Sequence, residues 1–221
     1  MELFIINKNR VTTTKNLIDW LSKEKRIKIY VVDNGSTYKP LLDYYKTEDF
    51  KSKAEVIWMT ENDNYLVVWD KGLLDKYNVK GKYIVTDSDL DCSNIPDNWL
   101  DLLLYGLMKY PDINKIGFSL DIFNIPNNNP LKKDVIAHES KFWLQKVDEQ
   151  FFYANIDTTF SLHRETQRTH TYTALRSNKP YMAIHQPWMI TELSEEDEYY
   201  FNHISKNVGD SHWSRQIKQI K

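Results

Sequence analysis

The 221-residue chain carries 29 basic against 31 acidic residues, and a formal charge of -2 excludes the broad positive field of a general nucleic-acid binder. Hydrophobic residues at 41% and charged residues at 27% exclude a disordered or fibrous chain, and the length suits one α/β domain better than two. A single cysteine, Cys92, excludes an intramolecular disulfide or a cysteine zinc cluster and fits a reducing, cytoplasmic setting.

Along the chain, ELFIINKNR reads as a short buried strand ending in polar residues. TTTKNLIDWLSKEK then carries Leu17, Ile18 and Leu21 at helical spacing. IKIYVVDNGST is a second strand stopped by a turn cluster, LLDYYKTEDF is helical, and AEVIWMT is a third strand. NYLVVWDKGLLDKYN is read as helix and KYIVTD as a fourth strand; PDNWLDLLLYGLMKYP is a helix opened by Pro and Asp and followed by Pro111. In the second half, KIGFSLDIF is predicted as a strand. The stretch from His138 to Arg164 is predicted to mix a helix with a strand carrying Asp157, and PYMAIHQPW as a strand ending at His185. The SEEDE run reads as a solvated face or a helix start. The N-terminal apolar run is too short for a signal segment, and the stretch from Trp99 to Met108 is broken by Asp101, so no membrane span and a soluble protein are expected.

Strands alternating with helices from residue 3 to 110 predict a mostly parallel α/β sheet, whose ligands sit outside the carboxyl ends of the strands. The polar clusters Asn7 to Arg10, Asp33 to Thr37, Thr60 to Asn64 and Asp87 to Asp91 all fall at such ends, so four loops are expected around one mouth.

The last of these clusters, DSDLD, follows a strand, and residues i and i+2 of an extended chain share a face. Asp87 and Asp89 therefore offer paired hard oxygens of the kind that hold Mg²⁺ or Mn²⁺ on a substrate phosphate. An EF-hand is excluded, because Cys92 and Asn98 stand where that loop needs Gly and Glu. A haloacid-dehalogenase phosphatase uses its D-x-D on the first strand, whereas three strands precede this one. The plainer alternative is that the acids cap the following turn. VVDNGST taken alone is a strand-ending turn in which Gly35 supplies positive φ and Asp33 or Asn34 bonds the turn backbone.

In combination, FIINKNR, VVDNGST and YIVTDSDLD, in this order and spacing, resemble the nucleotide-binding half of GT-A fold glycosyltransferases of the family 2-like type. IDTTFSLHR, AIHQPWM and the EEDEYY to HWS region resemble small bacterial and viral members. The resemblance implies a single GT-A domain with a nucleotide-sugar-binding half at 1–110 and an acceptor-binding, catalytic half at 111–221. By the same resemblance Asn9, Arg10, Asp33, Asn34 and Asp87 border the nucleotide. Asp89 and His185 hold the divalent metal, with Asp87 and His212 as further candidates, and Asp157 is the catalytic base. The family often has Pro-Thr-Tyr-Asn-Arg in its first loop, where this chain has Asn7-Lys8-Asn9-Arg10.

The implied activity is metal-dependent transfer of a sugar from a nucleotide diphosphate sugar, a UDP-sugar in the first instance, to a hydroxyl acceptor such as a glycan, with inversion. Mn²⁺ or Mg²⁺ would stabilise the leaving diphosphate and a carboxylate would take the acceptor proton. Two other readings stay open on sequence. A sugar-1-phosphate nucleotidyltransferase would carry a glycine-rich phosphate loop after the first strand, and INKNRVTTTKN has no Gly. The other is a noncatalytic nucleotide- or carbohydrate-binding module.

Overall fold

The computed structural model describes residues 1–203. In its first half β1 (Glu2–Asn7), α1 (Thr12–Leu21), β2 (Lys28–Asp33), α2 (Lys39–Tyr44), α3 (Glu48–Lys53) and β3 (Ala54–Trp58) alternate as the sequence predicts. They are followed by α4 (Val67–Asp70), α5 (Leu73–Lys76), β4 (Tyr83–Asp87), β5 (Leu90–Asp91) and α6 (Trp99–Lys109). The second half holds β6 (Lys115–Gly117), β7 (Ser119–Leu120), α7 (Lys132–Glu139), β8 (Phe151–Tyr153), β9 (Ser161–His163), β10 (Leu175–Ser177), β11 (Met182–His185) and α8 (Glu195–Asn202). Eight strands form one sheet in the order β3-β2-β1-β4-β9-β6-β10-β8, and β5-β11-β7 form a small second sheet beside it. The first four neighbours are parallel, and β9 runs antiparallel between β4 and β6, so the sheet is mixed.

Alternation within the central strands explains the layering. Leu3, Ile5, Ile29, Val31 and Ile84 face a large core under α1 and α6, while Phe4, Ile6, Tyr30, Val32, Tyr83 and Val85 face a smaller core under α4 and α5. The sequence segment NYLVVWDKGLLDKYN, read as one helix, is two single-turn helices split at Gly72, whose φ of 60° is left-handed. No described helix is long and apolar enough to cross a membrane.

Two second-half expectations are corrected. KIGFSLDIF is not one strand: the chain leaves the large sheet after Gly117, and Ser119–Leu120 pairs with β11 in the small one. Gly117 permits this crossing because a Cβ there would stand 2.0 Å from the Phe160 carbonyl oxygen. Asp157 lies in the loop before β9 instead of on a strand, since its Oδ1 accepts the Thr159 N–H at 3.0 Å and satisfies the backbone as a local turn.

The acidic SEEDE segment does start a helix, with Ser194 and Asp197 forming a reciprocal capping box. It is not a solvated face throughout. Glu196 and Asp197 are buried: Glu196 accepts from the Thr12 backbone N–H at 3.1 Å and from the Thr12 hydroxyl at 2.9 Å, and Asp197 pairs with Arg10. The Arg10 guanidinium also lies 4.0 Å from the Tyr200 ring centroid. The Tyr199 ring packs at a tilt against Tyr38 with centroids 4.7 Å apart, and its hydroxyl donates to Thr37 Oγ1 at 3.0 Å. The C-terminal helix is thereby locked onto the loops after β1 and β2.

A second tie holds α6 to the entry of β8. The Asp148 carboxylate accepts from Lys109 at 2.7 Å, from the Tyr110 hydroxyl at 2.6 Å, and from the backbone N–H groups of Gln150 and Phe151. Partial burial would raise its pKa, but these donors outweigh that and bring it down to about 2. Because the folded value lies below the unfolded one, this stabilisation is present above about pH 4 and is lost as pH falls toward 2. Between pH 6 and pH 3 the wild type should lose about 1 kcal/mol more stability than Asp148→Asn, as read by urea denaturation at both pH values. Removing one partner of the α8 tie should be more severe. Asp197→Ala leaves Arg10 buried without its counter-charge and should cost about 3 kcal/mol, whereas Glu198→Ala on the exposed side of the same helix should stay within about 0.5 kcal/mol.

Candidate functional site

A cavity of about 510 Å³ opens along the carboxyl ends of the central strands. Its wall is built from all four predicted loops, with Asn7, Lys8 and Arg10 from the first, Asn34 from the second, Asn62 and Asn64 from the third, and Asp87, Ser88 and Asp89 from the fourth. Asp157, Thr158 and Thr159 come from the loop before β9. Glu139, Arg176, His185, Trp188 and Tyr200 complete the wall.

The loops are held rigidly before any ligand is considered. Gly35 adopts φ 74°, and Ser36 donates its N–H to Asp33 Oδ1 at 2.8 Å. Asp33 Oδ2 accepts from the Tyr45 hydroxyl at 3.0 Å, so this buried carboxylate faces the loop interior and is not part of the cavity wall. Asn9 is likewise buried, with a left-handed φ of 54°; its Oδ1 takes the N–H groups of Thr37 and Tyr38 and staples the first loop to the second. Asn34 bridges to the third loop by donating to the Asn64 carbonyl and accepting from the Asp63 N–H, both at 2.9 Å. Asn7 donates to the Arg10 carbonyl and to the Tyr45 hydroxyl, while its buried Oδ1 has no hydrogen-bond partner among the described residues. Lys8 stands half-buried in the cavity, its ammonium pushed down by desolvation against the pull of Asp33.

The acids form the electrostatic centre. Burial, together with the like charges of Asp157 and Asp89, pushes Asp87 well up, and the Thr158 hydroxyl donating at 3.1 Å offsets this only in part. Asp157 goes the other way. It is open to solvent on one side and crowded by protein on the others; the crowding would raise its pKa, but the Thr159 hydroxyl and N–H, with Arg176 and His185 nearby, hold it low. Two neighbouring carboxyls are thus pushed apart, with Asp157 the ionised member. Beneath them Lys115 is completely buried and donates to the carbonyls of Ile156 and Asp157 at 2.7 and 3.0 Å. Desolvation lowers its pKa to about 7 even though both acids pull it upward.

His185 Nε2 lies 3.6 Å from Asp89 Oδ2, and Asp89 Oδ1 and His185 Nδ1 are both buried with no hydrogen-bond partner among the described residues. These orphaned donor atoms fit a divalent cation of the Mn²⁺ or Mg²⁺ type. The chain's own set is incomplete: among the described residues no group of three or more His, Cys, Asp or Glu side chains is arranged to hold a metal. His212 lies outside the described residues. Asp91 is apart from the cavity, accepting from the Ser93 N–H at 2.8 Å and from Gln186 at 3.3 Å.

The cavity therefore brings together Arg10, Asn34, Asp87, Asp89, Asp157 and His185, and leaves Asn9 and Asp33 as buried supports. Sequence reasoning missed Lys115, Arg176 and Glu139. Lys115 sits in a three-residue strand and the others on separate elements, and no short-range pattern marks a buried charge whose partners are distant in sequence. The capping box at Ser194 and Asp197 was readable, but the use of Glu196 and Asp197 against the first loop was not.

No family model and no curated protein sequence matches the chain. Solved structures do. The chain is similar to the mannosyltransferase PcManGT from Pyrobaculum calidifontis, solved in complex with GDP-Man and Mn²⁺, at TM-score 0.56 and 10% identity, covering 90% of this chain and 59% of that one. It is also similar to S. aureus TarS residues 1–349, at TM-score 0.52 and 11% identity, covering 84% of this chain and 60% of that one. The chain spans about three-fifths of the length of both neighbours. With its mixed, mostly parallel central sheet and these neighbours, the chain has the fold of the GT-A glycosyltransferases.

Proposed function

We propose that the protein transfers a sugar from a nucleotide diphosphate sugar to a hydroxyl acceptor such as a glycan, with inversion, and that a UDP-sugar is the donor. One observation carries this reading: Asp87, Asp89 and Asp157 meet in a single cavity at the carboxyl ends of a GT-A sheet, with His185 beside Asp89. The nucleoside lies across the ends of β1 and β2, framed by Asn34 and by the turn that Asn9 and Asp33 hold. The buried Asn7 Oδ1, which has no partner among the described residues, is an acceptor suited to the N–H of a base such as uracil. Arg10, fixed by Asp197 and Tyr200, presents its cation to the diphosphate, and Lys8 adds a second positive group.

Asp89 and His185, with Asp87, would hold Mn²⁺ or Mg²⁺. When bound there, the ion supplies Lewis-acid stabilisation of charge on the leaving diphosphate. Asp157, ionised and open to the cavity, accepts the proton of the attacking hydroxyl. Thr159 holds that carboxylate in place through its hydroxyl and N–H, and Lys115 anchors the same loop from below. A single base suffices for inversion by direct displacement, since no covalent sugar-enzyme bond needs to form.

Transfer or donor hydrolysis measured across a panel of UDP- and GDP-sugars, with and without Mn²⁺, tests the proposal. Wild-type turnover should require the metal, Asp89→Asn should lower kcat/KM by about 100-fold or more, and Asp157→Asn should lower kcat by about 100- to 10,000-fold while leaving nucleotide binding intact. Turnover that is the same with chelator, or unchanged in Asp89→Asn, would sink the metal role. Nucleotide binding without turnover of any donor would favour a noncatalytic binding module.

A further inference from the structure

The cavity does not end at the acids. At its far end Arg176, on β10, pairs with Glu139, at the end of α7, through Nη1 and Oε2 at 2.8 Å, with their side chains only 4% and 5% exposed. Arg176 Nε also donates to the Asn155 carbonyl at 2.8 Å, and the guanidinium lies 4.1 Å from the Phe142 ring centroid. A buried ion pair is a poor source of stability, because removing both charges from water costs about as much as their attraction returns. Its presence in a cavity wall calls for another use. The pair is neutral as a unit, yet among the described residues it keeps hydrogen-bonding capacity of both kinds. Among the described residues Arg176 Nη2 makes no hydrogen bond, and Glu139 Oε1 has only His138 Nε2, at 3.8 Å. A neutral pair with one donor nitrogen and one acceptor oxygen turned to the cavity matches adjacent hydroxyl groups on a sugar ring, one donating and one accepting, and does not match an anion.

Strand order gives its place. From β4, which ends at Asp87, the sheet continues through β9 and β6 to β10, three intervals of about 4.8 Å or roughly 14 Å in all. A nucleotide on the β1 and β2 side with its diphosphate at Asp89 would point its sugar toward β10. Building on the proposed transferase reading, we propose that Arg176 and Glu139 form a sugar-recognition subsite that binds the vicinal hydroxyls of a neutral pyranose. This pyranose is either the transferred sugar or the acceptor.

The test is calorimetric titration of wild type, Glu139→Gln and Arg176→Lys. The ligands are UDP and GDP alone, UDP-glucose, UDP-N-acetylglucosamine and GDP-mannose, and a set of neutral oligosaccharides, all with Mn²⁺. Both variants should bind the bare nucleoside diphosphates as wild type does. They should bind either the nucleotide sugar or the oligosaccharide that wild type prefers about tenfold or more weakly; the first result assigns the subsite to the donor and the second to the acceptor. The double variant Glu139→Leu with Arg176→Met removes the pair without stranding a charge and should remain folded while losing the same sugar increment. Equal weakening for bare diphosphates and sugar ligands, retention of sugar binding by the double variant, or no sugar preference in wild type would each overturn the proposal. If wild type binds no nucleoside diphosphate but binds an oligosaccharide that Glu139→Gln loses, the subsite stands and the nucleotide-sugar reading falls.

Discussion

Asp87, Asp89 and Asp157 share one cleft, and like charges gathered at the edge of a low-dielectric sheet repel one another. Much of the local architecture responds to that repulsion. Asp87 is pushed toward its protonated form, Asp157 is held ionised by Thr159, and Lys115 is buried beneath both with its ammonium tied to the carbonyls of the Asp157 loop. A fold that keeps such a cluster keeps a site that favours a cation. This is the physical content behind the proposed metal and diphosphate chemistry.

The same edge is ordered from one end to the other. The ends of β1 and β2 and the loops after them provide amides, a lysine and an arginine; the end of β4 and the loop after it provide Asp87 and Asp89; the loop before β9 provides Asp157; β10 provides Arg176. In a parallel sheet the carboxyl ends align by construction, so side chains from segments far apart in sequence enter one cavity in strand order. The insertion of antiparallel β9 beside β4 brings Asp157 and Thr158 next to Asp87, within reach of the 3.1 Å bond from the Thr158 hydroxyl.

The C-terminal helix shows how burial changes the meaning of a charge run. In the sequence SEEDE is five polar residues in a row, and surface exposure is the ordinary expectation. In the structure its members have different fates: Glu195 and Glu198 face solvent, whereas Glu196 and Asp197 between them are buried, Glu196 capping the Thr12 end of α1 and Asp197 neutralising Arg10. Arg10 then stands over the cavity in a fixed orientation, stacked on Tyr200, so a helix 187 residues away in sequence sets the position of a first-loop cation.

The first half of the fold was legible because its determinants are local. Short runs of apolar β-formers marked β1, β2 and β4, turn residues such as Gly35 ended them, and Asp87 and Asp89 at the exit of β4 both reach the cavity. The α/β sheet and the four-loop mouth follow from those patterns, whereas the GT-A fold was implied by the resemblance that FIINKNR, VVDNGST and YIVTDSDLD carry. Tertiary structure alone decided which polar side chains face the cavity and which support it: Asp33 and Asn9 turn inward to bond Ser36, Tyr45, Thr37 and Tyr38, and Asp157 sits in a side-chain-closed turn instead of a strand. It also decided the pairing of Arg176 with Glu139, the burial of Lys115 and the break after Gly117. These depend on desolvation and on contacts between segments tens of residues apart, where the energy of a charge is set by what surrounds it and not by its neighbours along the chain.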